Sequence, residues 1–160
     1  MAINVGDRLP SVPLTLATPD GPQPTTSDEF FKGKKVALFA VPGAFTPTCS
    51  AQHVPGYLNH YDALKAKGVD EIWCVAVNDA FVMGAWAKEL HTNTKVRMFG
   101  DGSAAWTKAL GLELDLTARG MGIRLQRFSM LVVNGVVKTL NIEAPGKFEV
   151  SNAETMLKQA

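Results

Sequence analysis

The run VALFAV (36–41) followed by PGAFTPTCSAQHVPG (42–56) decides how the chain folds. A continuous apolar run of this length reads as a strand buried on both faces. Pro42 ends it, because proline has no N–H for a central ladder. Pro47 suits the first position of a helix, where the missing N–H costs nothing, and Thr46 before it is a natural N-cap. Pro55 bends or breaks that helix soon after it starts. A strand, a short proline-bounded loop and a helix therefore follow in turn, with Cys49 in the first helical turn. Unpaired N–H groups and partial positive charge at a helix N-terminus favour a thiolate there. The position also matches the place where open α/β sheets bind ligands, beyond the carboxyl ends of their strands. The Thr46 hydroxyl is expected to accept the Cys49 amide as a cap and to donate toward the sulfur or a substrate oxygen.

Working outward, a short strand is expected at 14–16, and TPDGPQP (18–24) reads as a loop or hairpin turn. Ser27 can cap a short turn through 28–31. Downstream of the cysteine, Tyr57, Leu58, Tyr61 and Leu64 recur at helical spacing, with Gly68 as the stop. IWCVAV (72–77) is a second buried strand. Asn78 and Asp79 can cap a helix whose Val82, Trp86 and Leu90 form a core-facing stripe. A short strand at 96–99, a helix at 103–110 closed by Gly111, and a Gly-rich loop RGMGIR (119–124) follow. FSMLVV and VVKTLNIE flank Asn134-Gly135, a strong hairpin dipeptide. Ser151 with Glu154 reads as a capping box for a C-terminal helix. This order predicts one α/β domain over 1–160, a mixed central sheet with helices on both faces, ending in a β-hairpin and a helix.

Composition narrows the function. A net charge of +1 with scattered lysines argues against nucleic acid or an anionic membrane surface. No apolar run approaches the about 18 residues of a membrane span. The start, MAINVGDRLP, lacks the basic and apolar regions of a secretory signal, so a cytoplasmic, reducing location is expected. Two cysteines, Cys49 and Cys74, do not make a disulfide framework.

A reactive thiolate needs a cation. Arg119, Arg124 and Arg127 are the candidates, and Arg127 directly precedes a strand. At this point the pattern resembles a known family. VPGAFTPTCSAQHVPG, VNDAFVMGAW, LGLELDL and RLQRFSMLVVNGVVKTLNIE, in this order and spacing, resemble the type II peroxiredoxins, the peroxiredoxin 5 subgroup. The resemblance runs from Ile3 to the last helix. It implies a thioredoxin-like fold and a thiol peroxidase acting on hydrogen peroxide and alkyl hydroperoxides, with no cofactor and no metal. By position, Cys49 matches the peroxidatic cysteine, which passes through a sulfenic acid. Pro42 and Thr46 match its neighbours, and Arg127 matches the active-site arginine.

Some members of the subgroup carry a resolving cysteine near the C-terminus. The matching region here, NIEAPGKFEVSNAE, has none. Cys74, a position shared by the plant-like members, reads as a core residue. One-cysteine chemistry is therefore expected, with glutathione and glutaredoxin as the first candidate reductant and thioredoxin as the second. Against this stand a Cys–His hydrolase using His53, a metal site from Cys49, His53 and His60, and a redox sensor or chaperone using the same thiol. The i, i+4 placement of His53 points poorly for taking the sulfur proton, and His53 is expected as a helix-surface or hydrogen-bonding residue beside the site. Metal ligands are normally closer pairs on separate elements. A homodimer beside the site is expected through Phe45, Phe81 and Met83.

Overall fold

The computed structural model describes residues 2–27, 31–92 and 94–160. Seven strands form one mixed sheet: β1 (Pro13–Thr18), β2 (Gly21–Thr26), β3 (Lys35–Ala40), β4 (Glu71–Ala76), β5 (Arg97–Gly100), β8 (Phe128–Val133) and β9 (Val136–Ile142). Their spatial order is β2-β1-β5-β4-β3-β8-β9. β3, β4 and β5 run parallel, while β1 and β8 flank them antiparallel. A separate two-stranded sheet pairs β6 (Glu113–Leu116) with β7 (Gly122–Leu125). The helices are α1 (Val54–Asn59), α2 (Tyr61–Ala66), α3 (Ala80–Leu90), α4 (Ala105–Leu110) and α5 (Ala153–Gln159). The turn Cys49–His53 ahead of α1 is wound as a π-helix.

The central strands are apolar throughout because both faces are covered. In β3 and just beyond it, Val36, Leu38 and Ala40 join one core layer with Trp73, Phe99, Trp106 and Phe128. Ala37, Phe39 and Val41 join the other, with Tyr57, Cys74, Met83, Trp86 and Leu131. This is the strict alternation of a pleated strand, doubled because water reaches neither side. Cys49 belongs to the second layer.

Several expectations need correction. Of the two readings of TPDGPQP the hairpin turn holds and the loop does not: Pro19 and Asp20 turn the chain, and Gly21–Thr26 pairs with β1 as the edge strand β2. An edge is where prolines are tolerated, since their missing N–H can face away from the ladder. RGMGIR is not all loop either, because Leu116 pairs with Gly122 and Leu114 with Arg124. The turn expected from Ser27 runs through 28–30, outside the described residues. Ser27 itself is buried, and its hydroxyl accepts the Val12 amide. The α3 stripe facing the core is Ala80, Met83 and Trp86, with Ala87 and Leu90 packed beside it, and Val82 is only half-buried. Met83 is therefore core rather than contact surface. The α5 N-cap is Asn152, whose side chain accepts the Thr155 amide, one residue later than the expected Ser151. Asn134-Gly135 does form the β8–β9 turn, with both residues at positive φ. A bulge follows, where Leu131 faces Thr139 but Val132 faces Val137.

Gly100 closes β5 against the start of α3. A Cβ there would lie 2.7 Å from the Asn78 carbonyl oxygen and 2.8 Å from the Ala80 amide. Both are backbone atoms, so the first turn of α3 must move. Gly100→Ala is expected to destabilise the protein by about 1–3 kcal/mol, the range for overpacking. Urea unfolding would read this as a lowered midpoint with an unchanged slope.

Candidate active site

The site forms where β3 runs out. The Val41 amide still bonds the Val75 carbonyl, and Pro42 then leads the chain off the sheet. Asn78, expected as a helix cap, does something else: its Oδ1 accepts the Ala44 amide at 2.9 Å and pins the loop. Asp79 takes the cap of α3 by accepting the Val82 amide. Phe45 turns at φ 64°, a left-handed conformation rare for an aromatic residue, and is exposed. The Ser50 amide bonds the Thr46 carbonyl, so the helical winding begins at Pro47.

The turn Cys49–His53 then widens, closing with the Val54 amide on the Cys49 carbonyl. Such π turns often occur at functional sites. Cys49 and His53 are both buried in it. A second tie holds the turn to α3, where the Trp86 indole N–H donates to the Ser50 hydroxyl at 2.9 Å.

Two groups converge on the sulfur. Thr46 Oγ1 lies 2.9 Å from Cys49 Sγ and 2.7 Å from the Gly43 carbonyl oxygen. A hydroxyl has one proton and two lone pairs. With a thiol, it can accept S–H and donate to Gly43; with a thiolate, its proton can turn to the sulfur. Arg127 Nη2 donates to Sγ at 3.1 Å. The expected cap from Thr46 to the Cys49 amide is thus replaced by contacts to sulfur and to Gly43.

His53 holds the other arm of the guanidinium. Its Nε2 lies 2.9 Å from the Ser151 carbonyl oxygen, which can only accept, so Nε2 carries the proton. Nδ1 is then a lone pair, and it accepts Arg127 Nη1 at 2.8 Å. Burial, reinforced by the Arg127 charge, pushes the His53 pKa down to about 3. His53 is therefore neither on the helix surface nor able to take a proton from sulfur, and the Cys–His hydrolase loses its base. His60 is turned elsewhere, with Nδ1 on the Gly56 carbonyl. Among the described residues, no group of three His, Cys, Asp or Glu side chains is placed to hold a metal ion.

The other arginines separate. Arg119 is exposed. Arg124 lies over the active-site loop, donating through Nε to the Met121 carbonyl and through Nη1 to the Pro42 carbonyl at 3.3 Å. Gly43 makes room for it, since a Cβ there would lie 2.9 Å from Nη1. Sequence reasoning also missed Phe148, which packs on His53 and beneath the Arg127 guanidinium. Nothing local marks Phe148, because its contacts come from distant elements. Cys74 sits in β4 opposite Phe39, wholly buried. Burial first, and a charge on Cys49 second, push its thiol well above the ordinary range. Both cysteines are free.

A Redoxin family model matches residues 4–157. Peroxiredoxin-2C of Oryza sativa subsp. japonica is 52% identical over 157 residues, covering 98% of this chain and 97% of that protein. The chain is a type II peroxiredoxin. Solved structures agree with the assignment. Reduced Prx3 of Vibrio vulnificus in complex with hydrogen peroxide superposes with a TM-score of 0.93 at 54% identity, covering 98% of each chain. Peroxiredoxin 5 of Alvinella pompejana gives 0.86 at 36% identity, over 98% of this chain and 97% of that one. The fold is accordingly the thioredoxin-like one of the peroxiredoxins.

The depressed His53 pKa of this peroxiredoxin has a consequence for stability. Folded, the imidazole stays neutral down to about pH 3; unfolded, it takes up a proton near pH 6.5. Below that the unfolded state binds more protons, so stability falls as pH drops from 6.5 toward 3. Between pH 6 and 4.5 the expected slope from this group is about one proton, or ~1.4 kcal/mol per pH unit. Urea unfolding across this range, compared with His53→Gln, would show the slope flattened in the variant.

Proposed function

We propose that Cys49 is the peroxidatic residue of this thiol-dependent peroxidase, with Thr46 and Arg127 as the groups that carry its charge. The observation that supports this most is the convergence of a hydroxyl at 2.9 Å and a guanidinium at 3.1 Å on one thiol at a helix start. On this reading the Cys49 thiolate attacks one peroxide oxygen. The S–O bond forms as the O–O bond breaks, and the departing oxygen takes a proton to leave as water or an alcohol. Cysteine is oxidised to sulfenic acid and the peroxide is reduced. Negative charge moves from sulfur to the outer oxygen, and fixed donors that follow it lower the barrier. The Thr46 proton and the Arg127 Nη2 protons can do so without leaving their places. The Pro42 ring screens the sulfur from bulkier oxidants. The Vibrio vulnificus relative, bound to hydrogen peroxide, makes that peroxide the first candidate substrate, with alkyl hydroperoxides beside it.

Return to the thiol needs an external reductant on this reading. A thiol attacks the sulfenic sulfur and releases water, leaving a mixed disulfide, and a second thiol frees Cys49. Cys74 is a poor partner, being enclosed in the sheet and held protonated by burial. Glutathione with glutaredoxin is the leading reductant and thioredoxin the second, in a reducing compartment such as the cytosol. Cys49→Ser is expected to abolish peroxide consumption, and Cys74→Ser to keep most of it. The assay is turnover with glutathione plus glutaredoxin, and separately with thioredoxin plus its reductase. Full loss in a folded Cys74→Ser variant that still forms sulfenic acid once would sink the one-cysteine scheme.

The same reading includes a homodimer. Phe45 and Phe81 are 53% and 74% exposed; Phe45 is on the loop ahead of Cys49, and Phe81 is in the first turn of α3, just beyond the carboxyl end of β4. Met83, buried under α3, is no part of that patch. A two-fold axis would bring the patch of each copy together. In sedimentation velocity, wild type is expected as a dimer at micromolar concentration and Phe81→Asp as a monomer. A wild type that stays monomeric contradicts it.

A further inference from the structure

The active-site arginine does not reach the sulfur unaided. Its two arms are shared between Sγ and His53 Nδ1, and His53 is oriented by a carbonyl on a loop remote in sequence. That loop, residues 148–151, has no regular structure to stiffen it. Its backbone is instead gathered around one carboxylate. Glu143 accepts the Glu149 amide at 2.9 Å, the Val150 amide at 2.9 Å, the Ser151 amide at 2.8 Å and the Ser151 hydroxyl at 2.7 Å. Glu143 is nearly buried. Burial works against its charge, but these donors outweigh that cost and hold the carboxyl below its usual range.

The Ser151 peptide thus faces two ways. Its N–H meets Glu143, and its carbonyl oxygen accepts both His53 Nε2 and the Tyr57 hydroxyl, at 2.9 and 3.1 Å. Glu143 also touches the arginine from behind, since its amide donates to the Arg127 carbonyl at 2.9 Å. Phe148, on the same loop, lies against both the imidazole and the guanidinium. Glu143 therefore meets the site twice: its amide holds the backbone of Arg127, and its carboxylate holds the loop that sets the ring plane and tautomer of His53.

We propose that Glu143 is a positioning residue for peroxide reduction: by organising residues 148–151 it fixes His53 with its lone pair toward Arg127, which leaves the second guanidinium nitrogen free for the Cys49 sulfur. In the other tautomer Nδ1 would carry the proton and face the guanidinium donor to donor. Arg127 would then have to leave its place. Outer partners that orient site groups typically change activity about 10- to 100-fold when removed. The inference rests on Cys49 being the peroxidatic residue.

Glu143→Gln tests it, since an amide presents an NH₂ group to donors that need an acceptor. Reduced protein is mixed with hydrogen peroxide and the single oxidation of Cys49 is timed. The variant is expected to be about 10- to 100-fold slower. In an Arg127→Met background, Glu143→Gln should add less than about a twofold change, because the arm it positions is gone. A rate within about twofold of wild type, or the same loss in both backgrounds, overturns the proposal. Side-chain ¹⁵N NMR of His53 gives a readout that a merely structural role would not move. Wild type is expected to hold the Nε2–H tautomer through neutral pH, and Glu143→Gln to mix the two; an unchanged tautomer overturns the proposal. Should Glu143→Gln fail to fold, Ser151→Ala removes one donor to the carboxylate and keeps the carbonyl. It is expected to slow oxidation by more than about twofold, and a wild-type rate counts against the role. A wild type inert to peroxide would overturn the proposed function and this proposal with it, whereas an active wild type whose rate and His53 tautomer are untouched by Glu143→Gln would overturn the proposal alone.

Discussion

The structure depends on one shared cation. Arg127 divides its guanidinium between a sulfur and a neutral imidazole, 3.1 and 2.8 Å away. Even a half-buried guanidinium is costly unless its donors are met. Sulfur alone is a soft, weak acceptor when protonated. The imidazole lone pair is what lets the arginine sit at the site before any negative charge exists there. It can do so only while His53 is uncharged, and burial ensures that. The π turn, the loop 148–151 and the C-terminal hairpin all serve to bring these three groups together from separate parts of the chain.

Much of this was legible in the sequence because it is local. Two prolines and a threonine around Cys49 are enough to read strand, loop and helix, and VALFAV is apolar without alternation because it is covered twice. Asn134-Gly135 announces its turn. Arg127 could be nominated from its place before a strand, but nothing local separates it from Arg124, three residues earlier. The difference is which elements face each of them: Arg124 meets the Pro42 carbonyl, and Arg127 meets Cys49 and His53.

The rest was hidden for a physical reason. His53 reads from the sequence as either a helix-surface or a hydrogen-bonding residue, and only Phe148 and Ser151, laid against it across almost a hundred positions, decide for the second. Ser151 looks like a helix cap because the same hydroxyl that caps helices also binds carboxylates. Met83 looks like a flanking residue if the stripe is started one position early, and a helix offers no way to choose between neighbouring stripes when several positions are apolar. GPQPTT carries two prolines and still makes a strand, since an edge asks for only half the hydrogen bonds.

The tie between Trp86 and Ser50 has an optical consequence. The chain has three tryptophans. Trp73 and Trp106 lie in the core layer on the far side of the sheet, while Trp86 lies in the layer that holds Cys49. Its indole N–H is bonded to Ser50, the residue directly after Cys49. A rewinding of the π turn would change the surroundings of that one indole directly, while the other two lie across the sheet from it. Ultraviolet emission from the native chain therefore carries a built-in report on the turn that holds Cys49, with no dye attached.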